Sequence, residues 1–64
     1  MKITPEQLRD FMNLHGISIK ELSILFDITP QAVSMWLSGK REVPVAISKM
    51  IRLFIKYPRL IREF

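Results

Sequence analysis

Residues 18–44, SIKELSILFDITPQAVSMWLSGKREVP, decide the fold because they contain two helix starts separated by a short connection. The first start is SIKE, a capping box in which the side chains of Ser18 and Glu21 bond each other's backbone N–H groups. Asp27, which tolerates the left-handed conformation of a turn, ends this short helix. The apolar residues on one face of the helix are Ile19, Leu22 and Phe26.

A third helix is predicted from Thr29 and Pro30, a hydroxyl cap followed by proline at the first helical position, to Gly39. Its inward stripe, spaced i, i+3 and i+4, is Val33, Trp36 and Leu37. The residues left outside that stripe are Thr29, Pro30, Gln31, Ala32, Ser34, Met35 and Ser38. Two short helices joined by a tight turn predict a helix-turn-helix, whose second helix enters the major groove of DNA.

Helices are also predicted on both sides of this unit. Thr4 and Gln7 form a capping box at the start of a helix over residues 5–15, and Gly16 ends it. Pro44 opens a fourth helix, and Pro58 breaks it before a final turn or two. In the fourth helix the inward residues are Ile47, Met50, Ile51, Phe54 and Ile55, and the outward ones are Ser48, Lys49, Arg52 and Lys56. We therefore expect an all-α fold, a compact five-helix bundle forming a single domain over residues 1–64.

The composition excludes several classes of function. The chain has no cysteine and one histidine, His15, so neither a disulfide framework nor a metal site is expected, and no cofactor is predicted. The carboxylates are scattered, no Ser, His and Asp set converges, and no glycine-rich loop can hold a nucleotide, so we expect neither an enzyme nor a small-molecule substrate. No apolar segment is long enough to cross a bilayer, which favours a cytoplasmic protein without a membrane partner.

The net charge of +4 is unevenly distributed. Residues 1–32 contain three basic and four acidic side chains, a net charge of −1, whereas residues 33–64 contain seven basic and two acidic ones, a net charge of +5. Clustered Lys and Arg attract phosphates, although a solvated basic face explains the same composition.

The outward side chains of the third helix suit the edges of bases. Gln31 can pair with adenine N6 and N7, Ala32 can contact a thymine methyl group, and Ser34 can bond a base or a phosphate. The first turn of the helix presents free N–H groups to a phosphate. Further phosphate contacts are expected from Thr29, Lys40 and Arg41.

The 27 residues from 18 to 44 resemble the helix-turn-helix of the lambda-repressor and Cro family of phage and bacterial transcription regulators. The flanking helices match the five-helix plan of that fold. The features that carry the resemblance are the Glu21-Leu22 pair, Ile28, Val33, Trp36 and the Gly39-Lys40-Arg41 ending followed by a proline. The resemblance implies sequence-specific binding of double-stranded DNA and a Cro-like repressor, in a bacterial or phage-infected cell.

By the same resemblance, the third helix carries the DNA-contacting residues. Those facing base edges are Pro30, Gln31, Ala32, Ser34 and Met35, and those holding phosphates are Ser38, Lys40 and Arg41. Ile19 stands where relatives often have a phosphate-binding Gln, so basic residues elsewhere must supply that contact.

A homodimer on DNA is expected, because family members commonly occupy two half-sites about one helical turn apart. Relatives tend to carry polar residues at positions 24 and 25, where this chain is apolar, and a contiguous apolar patch on a small protein is usually an interaction site. The candidate interface residues are Ile24, Leu25, Leu60 and Phe64.

Other interpretations remain open at this stage. A helix-turn-helix can also serve as a protein- or RNA-binding adaptor or as an antitoxin-like module. Residues 50–64, MIRLFIKYPRLIREF, resemble a basic amphipathic membrane segment, although the core needs their apolar stripe. The spacing of Trp36 indicates a core residue rather than a base-stacking one, and that of Met35 allows either an inward or a DNA-facing position.

Overall fold

The computed structural model describes residues 2–63, which form helices joined by turns and loops, with no strand in that range. Four α-helices precede a C-terminal 3-10 helix, which confirms the predicted all-α fold with five helices. They are α1 Pro5–His15, α2 Ile19–Leu25, α3 Pro30–Ser38, α4 Val45–Lys56 and the 3-10 helix Pro58–Glu63.

Both predicted capping boxes are present. At α1, Thr4 Oγ1 accepts the Gln7 N–H at 3.1 Å and Gln7 Oε1 accepts the Thr4 N–H at 2.8 Å. At α2, the Ser18 hydroxyl and the Glu21 carboxylate make the equivalent reciprocal bonds at 3.1 and 3.0 Å. Two side chains at each helix start therefore satisfy donors that would otherwise lack partners.

The chain turns between α2 and α3 at Asp27, the residue that the sequence predicts for the left-handed conformation. Asp27 has a φ of 54°, in the left-handed region. The next N–H, that of Ile28, donates to the Ser23 carbonyl at 2.8 Å, and Thr29 then caps α3. These contacts fix the short connection of the helix-turn-helix.

The core is formed by apolar side chains from α1 to α4 and from two loop positions. The rings of Phe11 and Phe54 stack with centroids 6.2 Å apart, and Ile51 is fully buried beside them. The apolar stripe of α4 is therefore part of the core, as the sequence required. The buried apolar residues are Ile3, Leu8, Phe11, Met12, Leu22, Val33, Trp36, Val43, Ile51 and Phe54.

The fourth helix differs from its prediction in three respects. It begins one residue later, since Pro44 precedes the first helical residue. Ile55, predicted inward, is 43% exposed, and Ser48, predicted outward, is fully buried. The Ser48 hydroxyl accepts the Ile3 N–H at 3.0 Å and donates to the Val43 carbonyl at 3.4 Å. Ser48 faces inward because its hydroxyl bonds the backbone of Ile3, which precedes α1, and of Val43, which precedes α4. Helical periodicity does not reveal either bond.

The end of the described chain folds back on the body of the molecule. Leu60 and Ile61 of the 3-10 helix are half-buried and pack against the core, whereas Phe64 lies outside the described residues. Among residues 2–63, none of the helices combines the length and apolar character needed to cross a membrane.

Candidate nucleic-acid interface

Helix α3 is held to the core by one side only. Val33 is fully buried and Trp36 is 5% exposed, which confirms Trp36 as a core residue. Leu37 is half-buried against the same core. Because these residues occupy a single stripe, the opposite flank of the helix remains at the surface.

A shallow concavity runs along that exposed flank. The residues that line it are Gln31, Ser34, Met35, Ser38 and Lys40. Four of them recur at helical spacing along α3, and Lys40 follows the helix end. The structure thus brings together five of the predicted site residues on one surface that combines an amide, hydroxyls, a thioether and a cation.

The polar groups on this surface differ in how free they are. The Gln31 amide and the Ser34 hydroxyl have no hydrogen-bond partner among residues 2–63. The Ser38 hydroxyl donates to the Met35 carbonyl at 3.1 Å. Gln31 and Ser34 are therefore available to an external ligand, whereas Ser38 offers mainly the acceptor lone pairs of its oxygen.

The start of α3 offers an anion fewer free N–H groups than the sequence predicts, because the N–H groups of Ala32 and Val33 both bond Thr29. Thr29 Oγ1 accepts the Ala32 N–H at 3.1 Å, which leaves the hydroxyl hydrogen of Thr29 free to donate. Pro30 has no N–H, and both Thr29 and Gln31 are exposed. Ala32 itself is half-buried and packs against the core, so less of its methyl group faces outward than the sequence suggested.

A left-handed turn at Gly39, with a φ of 79°, ends α3 and redirects the chain. The N–H groups of Lys40 and Arg41 both donate to the Met35 carbonyl, at 3.0 and 3.3 Å. This turn brings Lys40 beside the concavity on α3. Arg41 instead lines a separate depression next to the N-terminal segment, so the two predicted phosphate contacts face different surfaces.

Most of the positive charge lies away from the concavity. Lys2, near Arg41, is paired with Glu42 at 3.4 Å, and Lys40 is the one cation among the residues lining the α3 concavity. The remaining basic side chains of the C-terminal half lie on α4 and the 3-10 helix: Lys49, Arg52, Lys56, Arg59 and Arg62.

Sequence reasoning missed a contact that bears on the position of α3. The guanidinium of Arg9 on α1 donates to the Leu37 carbonyl in the last turn of α3, at 3.4 Å, across 28 positions of sequence. A cation at this end also complements the helix dipole. No local pattern predicts this hydrogen bond, because the spacing of Arg9 indicates only an exposed residue of α1.

The candidate interface residues lie in different environments. Ile24 is 70% exposed, whereas Leu25 and Leu60 are half-buried against the core. Phe64 lies outside the described residues.

A second concavity at the junction of α1, α2 and the 3-10 helix is lined by Leu14, His15, Ile17, Glu21, Leu25, Ile61 and Arg62.

Glu21 and His15, which both line this second concavity, differ in how their polar atoms are partnered. The Ser18 backbone N–H, and with it the Ser18 side chain, holds the pKa of the Glu21 carboxyl below its ordinary value. The His15 ring lies 5.0 Å from the Phe11 ring, and its buried Nε2 has no partner. Within residues 2–63, no cluster of three or more His, Asp or Glu side chains is arranged to hold a metal.

A sequence model of the helix-turn-helix family matches residues 8–58, from within α1 to the first residue of the 3-10 helix. The match includes all of α2 and α3 and every residue lining the α3 concavity. No curated protein and no solved structure matches the chain.

Proposed function

Because the chain belongs to the lambda-repressor and Cro-like helix-turn-helix family, we propose that it is a sequence-specific DNA-binding repressor that acts by occupying an operator. Membership of this family gives the chain a DNA-binding domain of the transcription-regulator type. The proposal adds sequence specificity, repression and the residues responsible for each.

The observation that carries the proposal is the exposed concavity on α3, the second helix of the helix-turn-helix. The major groove of B-DNA is about 12 Å wide and admits an α-helix. Helix α3 offers such a groove an outer face with an unpaired amide and hydroxyl, and Val33 and Trp36 anchor its other face in the core. A rigid helix with free polar groups at its N-terminal end is what reading of base edges requires.

The two ends of this surface have different roles in the proposal. Base edges are contacted from the N-terminal part of α3, where Gln31 and Ser34 are unpaired and Met35 is 37% exposed. Pro30 and Ala32 lie against the same bases. Phosphates are held at the margins of this surface by Thr29 and Lys40, and by Arg41 from the separate depression beside the N-terminal segment. Ser38 joins them when its hydroxyl hydrogen turns from the Met35 carbonyl to a phosphate oxygen. Base contacts specify the sequence, whereas phosphate contacts position the protein on any sequence.

Repression follows from the position of the protein rather than from chemistry. Two copies place their α3 helices in successive major grooves, about one helical turn apart, and deny the promoter to polymerase. The largely exposed Ile24 and the half-buried Leu25 and Leu60 form part of the contact between copies. The whole chain, residues 1–64, acts as one domain in the cytoplasm of a bacterial or phage-infected cell.

Titration of selected and random duplexes with variants tests this division of roles. Each lost phosphate contact lowers the slope of log K against log salt by about 0.9, equivalent to about a 3.5-fold smaller loss of affinity between 50 and 200 mM salt. Arg41→Gln should flatten the slope and weaken all duplexes alike. Gln31→Ala should leave the slope unchanged and cost about 1–3 kcal/mol on the selected duplex.

Two controls make the result decisive. Asn13→Ala, a neutral change at an exposed position of α1, should leave affinity and slope unaltered. Double-stranded RNA of the same length should compete poorly, since its deep, narrow major groove does not admit the helix. Equal affinity for RNA and DNA would favour an RNA-binding adaptor, and no affinity for either nucleic acid would favour a protein-binding or antitoxin-like module.

Light scattering and gel shifts test the homodimer. Complexes with a selected duplex should contain two copies of the chain, and Ile24→Ser should shift the stoichiometry towards one copy without unfolding the protein, because Ile24 is outside the core. A wild-type complex with a single copy on a complete operator would refute the dimer.

A further inference from the structure

We infer that the half-site read by α3 contains A·T pairs at its two specifying positions, an adenine paired with Gln31 and a thymine whose methyl group contacts Met35. This inference rests on the proposed function and adds the base identity. The argument depends on which side chains line the α3 concavity and which of them are free.

Gln31 is the one amide side chain among the residues that line the concavity. Its amide offers a donor and an acceptor, which complement the N7 acceptor and N6 donor of adenine in the major groove. The side chain is exposed and has no hydrogen-bond partner in the described chain. It can therefore form both bonds to adenine without breaking a bond within the protein.

Met35 presents an apolar group one helical turn further along α3. Its side chain is 37% exposed. The hydrogen bonds from the turn at Gly39 go to the Met35 backbone carbonyl and leave the thioether uninvolved. Among the major-groove edges, that of thymine presents a methyl group. An exposed thioether over this methyl group excludes water from both, whereas over a guanine or cytosine edge it would leave polar groups unpaired.

The concavity has no charged side chain placed to read a G·C pair. Guanine is recognised by Arg or Lys at O6 and N7, and cytosine by Asp or Glu at N4. Lys40 is the only one of these residue types that lines the concavity, and it lies beyond the C-terminal end of α3. In a helix-turn-helix the N-terminal residues of the second helix meet the bases. Lys40 is thus placed for a phosphate.

The spacing along the helix fixes how far apart the two pairs lie. Gln31 and Met35 are four residues apart, about 6 Å along the axis of an α-helix. Successive bases on a strand are about 3.4 Å apart. The adenine and the thymine therefore lie within about two base-pair steps of each other, and Ser34, which bonds either base, faces the interval between them.

Selection from a random duplex library with the full chain, followed by modified bases, tests the inference. The enriched duplexes should share A·T pairs at two positions within that spacing. Replacing the adenine pair by G·C should weaken wild-type binding about 5- to 150-fold, and replacing the thymine by uracil, which removes the methyl group, should weaken it about fourfold.

The adenine preference and the response to uracil should each be lost in a different variant. Gln31→Ala should lose the preference at the adenine position and keep the response to uracil, whereas Met35→Ala should do the reverse. Asn13→Ala should retain both. Selected duplexes with G·C at these positions, or an adenine preference that persists in Gln31→Ala, would overturn the inference while leaving DNA binding intact. A failure to enrich any duplex would overturn the proposed function as well.

Discussion

Replacing the buried Ser48 by alanine should destabilise the protein out of proportion to the one oxygen removed. In the native protein the Ser48 hydroxyl accepts the Ile3 N–H at 3.0 Å and donates to the Val43 carbonyl at 3.4 Å. All three residues are buried. Alanine fits the same space but offers neither bond. The Ile3 N–H would then be buried without a partner.

The magnitude follows from that lost partner. A buried donor left unsatisfied costs about 1–3 kcal/mol, whereas the long bond to Val43 adds little because a carbonyl oxygen tolerates partial satisfaction better. For a domain of this size, each kcal/mol lowers Tm by about 4–8 °C. Since small domains are marginally stable, this is a substantial fraction of the total.

Urea denaturation and amide exchange measure the effect. The Ser48→Ala variant should unfold at lower urea concentration than the wild type with an unchanged m value, and the Ile3 amide should exchange faster. Ser34→Ala, the same change at the exposed face of α3, is the matched control and should alter stability by less than about 0.5 kcal/mol. Equal stability of the two variants would refute the role assigned to Ser48.

Three further changes test the helix ends. Gly39→Ala should cost about 1–2 kcal/mol, because Gly39 has a φ of 79° and the strain is in the backbone alone, with nothing within 4 Å of an added Cβ; an unchanged urea midpoint would contradict this. Thr29→Ala should cost about 1 kcal/mol through loss of the cap to the Ala32 N–H and should also weaken DNA binding, whereas a change in neither urea midpoint nor affinity would exclude both roles. The lowered pKa of Glu21 means that its stabilising contribution is present above the ordinary carboxyl pKa and is lost as the pH falls through the lowered value. Glu21→Gln should therefore lose less stability than the wild type between neutral and strongly acidic pH, and identical pH profiles would contradict the assignment.

Helix ends were predictable because their determinants are local. Thr4 and Gln7 lie within one turn of the α1 start, and Gly39 lies at the end of α3, so neither requires knowledge of the rest of the fold. Helical periodicity places Ser48 on the wrong face of α4 for the opposite reason. Its partner Ile3 is 45 positions away in the sequence. Without knowledge of that partner, a polar side chain in an amphipathic helix is predicted to be exposed.

The candidate site divides in the same way. Helical angles alone place Gln31, Ser34 and Met35 opposite the buried stripe, and the concavity contains all three. Lys40 and Arg41 lie on different surfaces because of the path that the chain takes after Gly39. The adjacent residues in the sequence do not specify that path. The contact of Arg9 with α3 depends on tertiary packing for the same reason.

Chemical-shift mapping by NMR during titration with a selected duplex tests the central claim most directly, because it reports which surface of the folded chain meets DNA. The account predicts that the largest perturbations fall on the residues lining the α3 concavity, with the buried stripe of Val33 and Trp36 little affected. Perturbations confined to the second concavity, around Leu14 and Ile61, with α3 unchanged, would contradict it.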